Sequence, residues 1–305
     1  MNRAEVSFLS HGITCAAWHV KATSNDLLAE AGRPCVVMAH GFGGTRDSGL
    51  LAYADSFARA GIDSFVFDYR GFGSSDGSPR QNVVYKHQRE DYHAALEVAR
   101  HLVGVDPDRI ALWGTSYSAG HVIAVAAQRR DRRDVAGIVS MTPAVDGFAA
   151  LGNIARYAGV GQLAWATREG LRDALRAATD KPPHLIPIVG PPGSKAMMTT
   201  KGASAAFEKM AGPTAVNEVC ARHALEAARN RPTIYAARVA CPMLIQIGTN
   251  DQVAPPSVAQ RMAKKARSRT AVLTYPLDHF DVYDDPWRSV VSADQVDFLS
   301  RLFTG

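Results

Sequence analysis

Residues 109–120 read Arg-Ile-Ala-Leu-Trp-Gly-Thr-Ser-Tyr-Ser-Ala-Gly, and their reading decides the fold. Arg109 to Trp113 is a compact run of strand length. Tyr117 to Gln128 carries a helical pattern. Between them, Ser116 sits on a strand-to-helix turn. A turn this sharp holds its serine in strained backbone geometry, with the hydroxyl projecting above the sheet. Small residues are needed two positions to either side, because strand and helix pass closely there. Gly114 fills the first position. Ser118 stands where a G-x-S-x-G motif has its second glycine, and serine is small enough for the elbow to survive. The alternative is a structural serine in an ordinary loop, and the rest of the chain has to decide between the two.

Outward from the elbow, strand and helix patterns alternate. Residues 35–39, 63–68 and 135–141 read as buried strands, and residues 48–60 and 84–104 read as helices. Residues 5–10 and 13–20 read as a hairpin turning at Gly12. Such alternation predicts an α/β fold with a mostly parallel, doubly wound sheet. The rhythm breaks after about residue 145 and resumes with 242–247, 256–267, 270–275 and 291–303. The expected organisation is a core of residues 1–144 and 236–305, with residues 145–235 inserted as a mainly helical cap or lid. Ile154, Leu163, Trp165, Leu171, Leu175 and Leu185 are its candidates for an apolar wall, or else form the cap's own core.

A serine hydroxyl is a poor nucleophile at neutral pH and needs a base, which in turn needs an orienting acid. Behind an elbow of this kind the acid and then the histidine follow in chain order. Asp251 follows the strand pattern of 243–247, and ligands gather at the carboxyl ends of parallel strands. Asp146, just after 135–141, is the rival acid. His279 is the only histidine after Asp251. Of the others, His121 lies on the helix after the elbow and reads as packed. Residues 40–47, His-Gly-Phe-Gly-Gly-Thr-Arg-Asp, follow the strand 35–39. Their glycines let backbone N–H groups turn inward, so an oxyanion hole is expected from the amides of Phe42 and Tyr117. His40 is expected to support that loop by hydrogen bonding. A phosphate-binding loop is the weaker alternative, because neither G-x-x-x-x-G-K-[ST] nor G-x-G-x-x-G opens a helix here.

The 40–47 loop, Ser116, Asp251 and His279 fall in this order along the chain, each after an expected strand. On these residues the chain resembles the α/β-hydrolase superfamily over nearly its whole length. The stretches 68–77, Asp-Tyr-Arg-Gly-Phe-Gly-Ser-Ser-Asp-Gly, and 279–283, His-Phe-Asp-Val-Tyr, are similar to the branch of dienelactone-hydrolase-like esterases and polyketide or fatty acyl transferases. The resemblance implies a serine hydrolase that cleaves a carboxylic ester or thioester of a small molecule through an acyl-serine intermediate. It implies no metal and no organic cofactor. The alternative in the same chemistry is an acyltransferase with an acceptor other than water. The alternative in another class is an inactive binding protein of this fold. Serine at the elbow argues against the haloalkane dehalogenases and epoxide hydrolases of the superfamily, which use Asp there. The chain has no room for the large extra domain of prolyl-oligopeptidase-type peptidases.

Composition bounds what remains. The 305 residues are 47% hydrophobic and 21% charged, ordinary for a globular chain, with a net charge of +5. The densest basic run, Arg129, Arg130, Arg132 and Arg133, has Asp131 and Asp134 within it and reads as a solvated loop, so no nucleic-acid partner is expected. The four cysteines, Cys15, Cys35, Cys220 and Cys241, form no CxxC pair; Cys35 and Cys241 are expected as buried free thiols. No apolar run reaches bilayer-spanning length, and no signal peptide is read in Met1 to Ser10. The expected location is therefore the cytoplasm.

Overall fold

The computed structural model describes residues 3–128, 135–266 and 269–304. The arginine-rich run at 129–134 lies outside them. Ten strands and nine α-helices follow along the described chain. They are β1 (Arg3–Ser10), β2 (Ile13–Val20), β3 (Arg33–Ala39), α1 (Leu50–Arg59), β4 (Asp63–Phe67), α2 (Tyr85–Arg100), β5 (Val105–Thr115), α3 (Tyr117–Gln128) and β6 (Gly137–Met141). Then come α4 (Gly147–Ala158), α5 (Val160–Ala178), β7 (Leu185–Ile186), α6 (Ala203–Met210), β8 (Val219–Cys220), α7 (His223–Glu226), β9 (Met243–Gly248), α8 (Pro256–Ala263), β10 (Thr270–Tyr275) and α9 (Trp287–Thr304).

Eight strands form one sheet in the order β1-β2-β4-β3-β5-β6-β9-β10. From β4 to β10 every pairing is parallel, and the β1–β2 hairpin joins antiparallel at one edge. The sequence accounts for both covered faces. Side chains alternate across a strand with a period of two. Val37 and Ala39 of β3 and Ile110 and Leu112 of β5 join one buried cluster with Tyr92 and Leu96 of α2 and Val122 of α3. Their neighbours Val36, Met38, Ala111 and Trp113 join the opposite cluster with Tyr53 and Phe57 of α1 and Leu299 of α9. On α1 the buried positions are Leu50, Tyr53, Ala54, Phe57 and Ala58, the spacing of a helix with one apolar face.

Register brings the functional loops to one rim. Ala39 is opposite Gly114, Thr115 is opposite Met141, Met141 is opposite Gln246, and Gly248 is opposite Tyr275. The carboxyl ends of β3, β5, β6, β9 and β10 are thus level, and the loops that leave them meet above the sheet. The elbow strand is longer than the expected 109–113, because Arg33 already pairs with Val105. Correspondingly α2 stops at Arg100, and 101–104 forms a turn instead of continuing the helix to 104.

Between β6 and β9 the chain leaves the sheet and runs through α4 to α7, with β7 and β8 paired as a two-stranded ribbon that the sequence does not signal. Here the apolar-wall expectation needs correction. Leu171 and Leu175 are exposed, at 58% and 68%. The buried positions of α5 are Gln162, Glu169, Gly170 and Asp173. Asp173 is fully buried because its carboxylate accepts two hydrogen bonds from the Arg222 guanidinium and one each from the amides of Arg222 and His184. Glu169 accepts from Arg168 and pairs with His184. Buried charges that are fully paired are tolerated, so Glu169 and Asp173 of α5 turn inward while Leu171 and Leu175 turn out. Cys241 is half-buried, whereas Cys15, Cys35 and Cys220 are buried; all four are free.

Candidate active site

The elbow is built from close approaches. Ser116 takes a left-handed backbone conformation, with φ +55°. Its amide donates to the Met141 carbonyl and its carbonyl accepts from the Ala144 amide, both at 2.9 Å, which fixes the turn to the end of β6. A Cβ at Gly114 would lie 2.3 Å from the carbonyl oxygen of Ser118, so no larger residue fits where β5 and α3 cross.

Ser118 does more than fit. Its buried hydroxyl donates to the His40 carbonyl and bonds with the Tyr69 hydroxyl. One atom thereby ties the elbow helix to the loop after β3 and to the loop after β4. Replacing Ser118 by Ala leaves both partners buried without it, and an unsatisfied buried polar group costs about 1–3 kcal/mol. Urea denaturation of Ser118→Ala should show a loss of about that size.

The 40–47 loop lies directly on the elbow. A Cβ at Gly41 would sit 2.8 Å from the Cβ of Ser116. The His40 ring accepts the Gly41 amide at its Nδ1 (2.7 Å) and stacks on Tyr283 at 5.6 Å. Burial pushes the His40 imidazole down to about 4, so it is neutral near pH 7 and holds the loop, as the sequence suggests. Asp68 secures the loop from the other side. Its carboxylate accepts the Arg46 amide at 2.6 Å and pairs with the Arg46 guanidinium at 3.2 Å. Phe42, next after Gly41, packs edge-on against Tyr117 with ring centroids 5.7 Å apart. Tyr117 opens α3, and the first amides of a helix have no partner within it.

His279 and Asp251 meet the elbow from β10 and β9. His279 Nε2 lies 2.9 Å from Ser116 Oγ, and Nδ1 lies 2.7 Å from Asp251 Oδ2. The other carboxylate oxygen of Asp251 accepts the amides of Val253 and Ala254 at 2.8 and 2.6 Å. A carboxylate only accepts, so His279 Nδ1 carries the proton and its Nε2 lone pair faces the serine. Burial alone lowers the His279 pKa. The charge of Asp251, its hydrogen bond and the charge of Asp278 outweigh that and raise it above its ordinary value. The rival, Asp146, caps α4 by accepting from the Ala149 amide and pairs with Arg231 at 3.1 Å. The side chain hydrogen-bonded to His279 is therefore that of Asp251. His121 is packed at the foot of α3 beside Gln88.

A cavity of about 120 Å³ opens at Ser116. Phe42, Tyr117, Val145, Leu151, Ile154 and Met198 are among its mainly apolar walls. His223 and Asn230 also line it, and the sequence pattern assigns them no role. Of the residues proposed as an apolar wall, Ile154 lines this cavity; Leu163, Trp165, Leu171, Leu175 and Leu185 do not. Residues from the irregular stretch 142–235 are brought here by its packing on the core, which no local spacing announces. Among the described residues, no group of three or more His, Cys, Asp or Glu side chains is arranged to hold a metal ion.

The family model for Hydrolase_4, serine aminopeptidase S33, matches residues 30–277. The chain belongs to this family of α/β hydrolases. The hydrolase is 34% identical over 303 residues to the quorum-quenching protein AidA of Acinetobacter baumannii, covering 98% of this chain and 94% of that one. Over 119 residues it is 40% identical to thiohydrolase aneE of Aspergillus aculeatus, 39% of this chain and 36% of that one. The crystal structure of the α/β hydrolase GrgF from a Penicillium species superposes over the whole of both chains with a TM-score of 0.81 at 22% identity. The match at this identity is one of fold, and it agrees with the doubly wound sheet read from the sequence. No helix among the described residues is long and apolar enough to cross a membrane.

Proposed function

We propose that this hydrolase cleaves a carboxylic ester or thioester through an acyl-Ser116 intermediate. The observation that carries the reading is the pair of hydrogen bonds from Ser116 to His279 and from His279 to Asp251, set at the mouth of an apolar cavity. His279 Nε2 takes the hydroxyl proton as Ser116 Oγ attacks the carbonyl carbon. The amides of Phe42 and Tyr117 receive the oxyanion; the positive end of the α3 dipole adds to the second. His279 then gives its proton to the leaving oxygen or sulfur, and the C–O or C–S bond breaks. Water enters, loses a proton to His279 and attacks the acyl carbon. The tetrahedral adduct collapses, the proton returns to Ser116 and the acid leaves. Residues 145–235 act in this reading as the cap that encloses the acyl group.

The family's description names an aminopeptidase, and such an enzyme needs a carboxylate for the substrate's ammonium. Among the described residues lining the cavity the only carboxylate is Asp146, already engaged by Ala149 and Arg231. An ester or thioester of an apolar acid suits these walls better.

The base must be neutral to act, and the His279 pKa is raised. Protonation at low pH removes the base, so kcat/KM should rise with pH through an acid limb whose midpoint lies above about 6.5, the ordinary histidine value. His40 and His223, each held near 4, contribute no limb in that range. A profile with its midpoint below that value would count against His279 as the base. The direct test of the function is turnover of p-nitrophenyl esters together with labelling by a fluorophosphonate. Labelling at Ser116 with turnover supports a hydrolase. Labelling with negligible turnover points to an acceptor other than water, and absence of both to a binding protein.

A further inference from the structure

We propose that the cavity at Ser116 continues past Leu151, Ile154 and Met197 into a second chamber, which receives the far end of a long acyl chain. The proposal rests on the reading of Ser116 as the residue that accepts the acyl group.

A second cavity, of about 160 Å³, lies between α4 and α5. Leu151, Ile154 and Met197 line both cavities, so the partition is one side chain thick. Leu151 and Ile154 are three positions apart on α4 and therefore share a face. Met197 is anchored through its amide to the Pro187 carbonyl at 3.0 Å. Its side chain has three rotatable bonds and adapts its shape readily. No hydrogen bond between side chains closes the partition, and a rotamer change in three partly buried apolar groups opens it.

The second chamber is mostly apolar. Leu163, Ala166, Ala196 and Ala224 line it and not the first. Its amide residue, Gln162, is already engaged, donating to the carbonyls of Ala196 and Ser194. Three alanines stand where larger side chains would fill the space. The small side chains leave an apolar concavity unfilled, which fits a space kept for a ligand. Small-molecule sites commonly measure about 300–1,000 Å³. Neither cavity alone reaches that, at about 120 and 160 Å³, but joined they approach it. Since the first opens at Ser116, the occupant of the second is the distal part of the acyl group bound there.

The test fills the second chamber alone. Ala166→Phe and, separately, Ala224→Leu are compared with the wild type on butyrate and dodecanoate p-nitrophenyl esters. The ratio of kcat/KM for dodecanoate to that for butyrate should fall roughly tenfold, the effect of about two methylenes losing their burial. Met197→Ala, which thins the partition, should raise the ratio. Thermal melting checks folding, and filling a true void should hold or raise Tm. A ratio unchanged in both folded filling variants overturns the proposal. Calorimetric binding of dodecanoate to Ser116→Ala, with and without Ala166→Phe, needs no turnover. Weakened binding in the filled variant upholds the chamber even if the wild type hydrolyses nothing, and the hydrolase reading then fails by itself. Equal binding in both removes the chamber.

Discussion

Ser116→Ala should lower kcat by on the order of 10⁶ and abolish fluorophosphonate labelling, since removal of the nucleophile from such a unit disables all of it. What survives should be about 10³–10⁴ above the uncatalysed rate, supplied by binding and the oxyanion amides. The substitution is conservative in packing terms. Ser116 is held through its own backbone, by Met141 and Ala144, and the elbow keeps those bonds without the hydroxyl. Stability should therefore change little, and the measurement separates chemistry from folding. Turnover within about tenfold of the wild type would place the nucleophile elsewhere. Labelling that persisted would do the same.

Asp251→Asn should cost about 10⁴ in kcat. The amide oxygen can keep the bonds to Val253 and Ala254 that Asp251 now makes. The amide nitrogen would then face His279 Nδ1, and it can only donate. His279 would move its proton to Nε2, the atom 2.9 Å from Ser116 Oγ, and lose the lone pair that accepts the serine proton. Losing the carboxylate charge also removes a cause of the raised His279 pKa, so the acid limb of kcat/KM should move to lower pH. A loss of rate with the limb unmoved would mean that the variant is misfolded, or that another group sets the limb. Asp146→Asn is the matched control. Asp146 is bonded to Ala149 and Arg231 away from His279, so its limb should stay where it is.

The elbow was legible because steric need leaves few choices there. A turn between β5 and α3 demands a small residue at 114, and a serine that keeps φ +55° is rare enough to stand out by its neighbours. Asp251 and His279 were legible because each follows a short, mainly apolar run of strand length, Met243–Gly248 and Thr270–Tyr275. The walls of the cavity were not. On α5 the pattern of leucines pointed to a buried face at Leu171 and Leu175, but Asp173 and Glu169 are paired by Arg222 and His184, far along the chain. Pairing of that range leaves no local period to read. Leu151 and Met197 likewise become neighbours only once the segment after β6 has folded back over the sheet.

The hydroxyl at position 118 also constrains how this chain can change. Tyr69 and Ser118 form a buried pair, and losing one partner is costlier than replacing both by apolar groups of similar shape. The step from Ser118 to Ala should therefore hurt less in a background that already carries Tyr69→Phe, and a double-mutant cycle would report that coupling. The two positions are expected to drift as a couple: a lineage whose elbow carries the glycine form should more often lack the tyrosine hydroxyl as well.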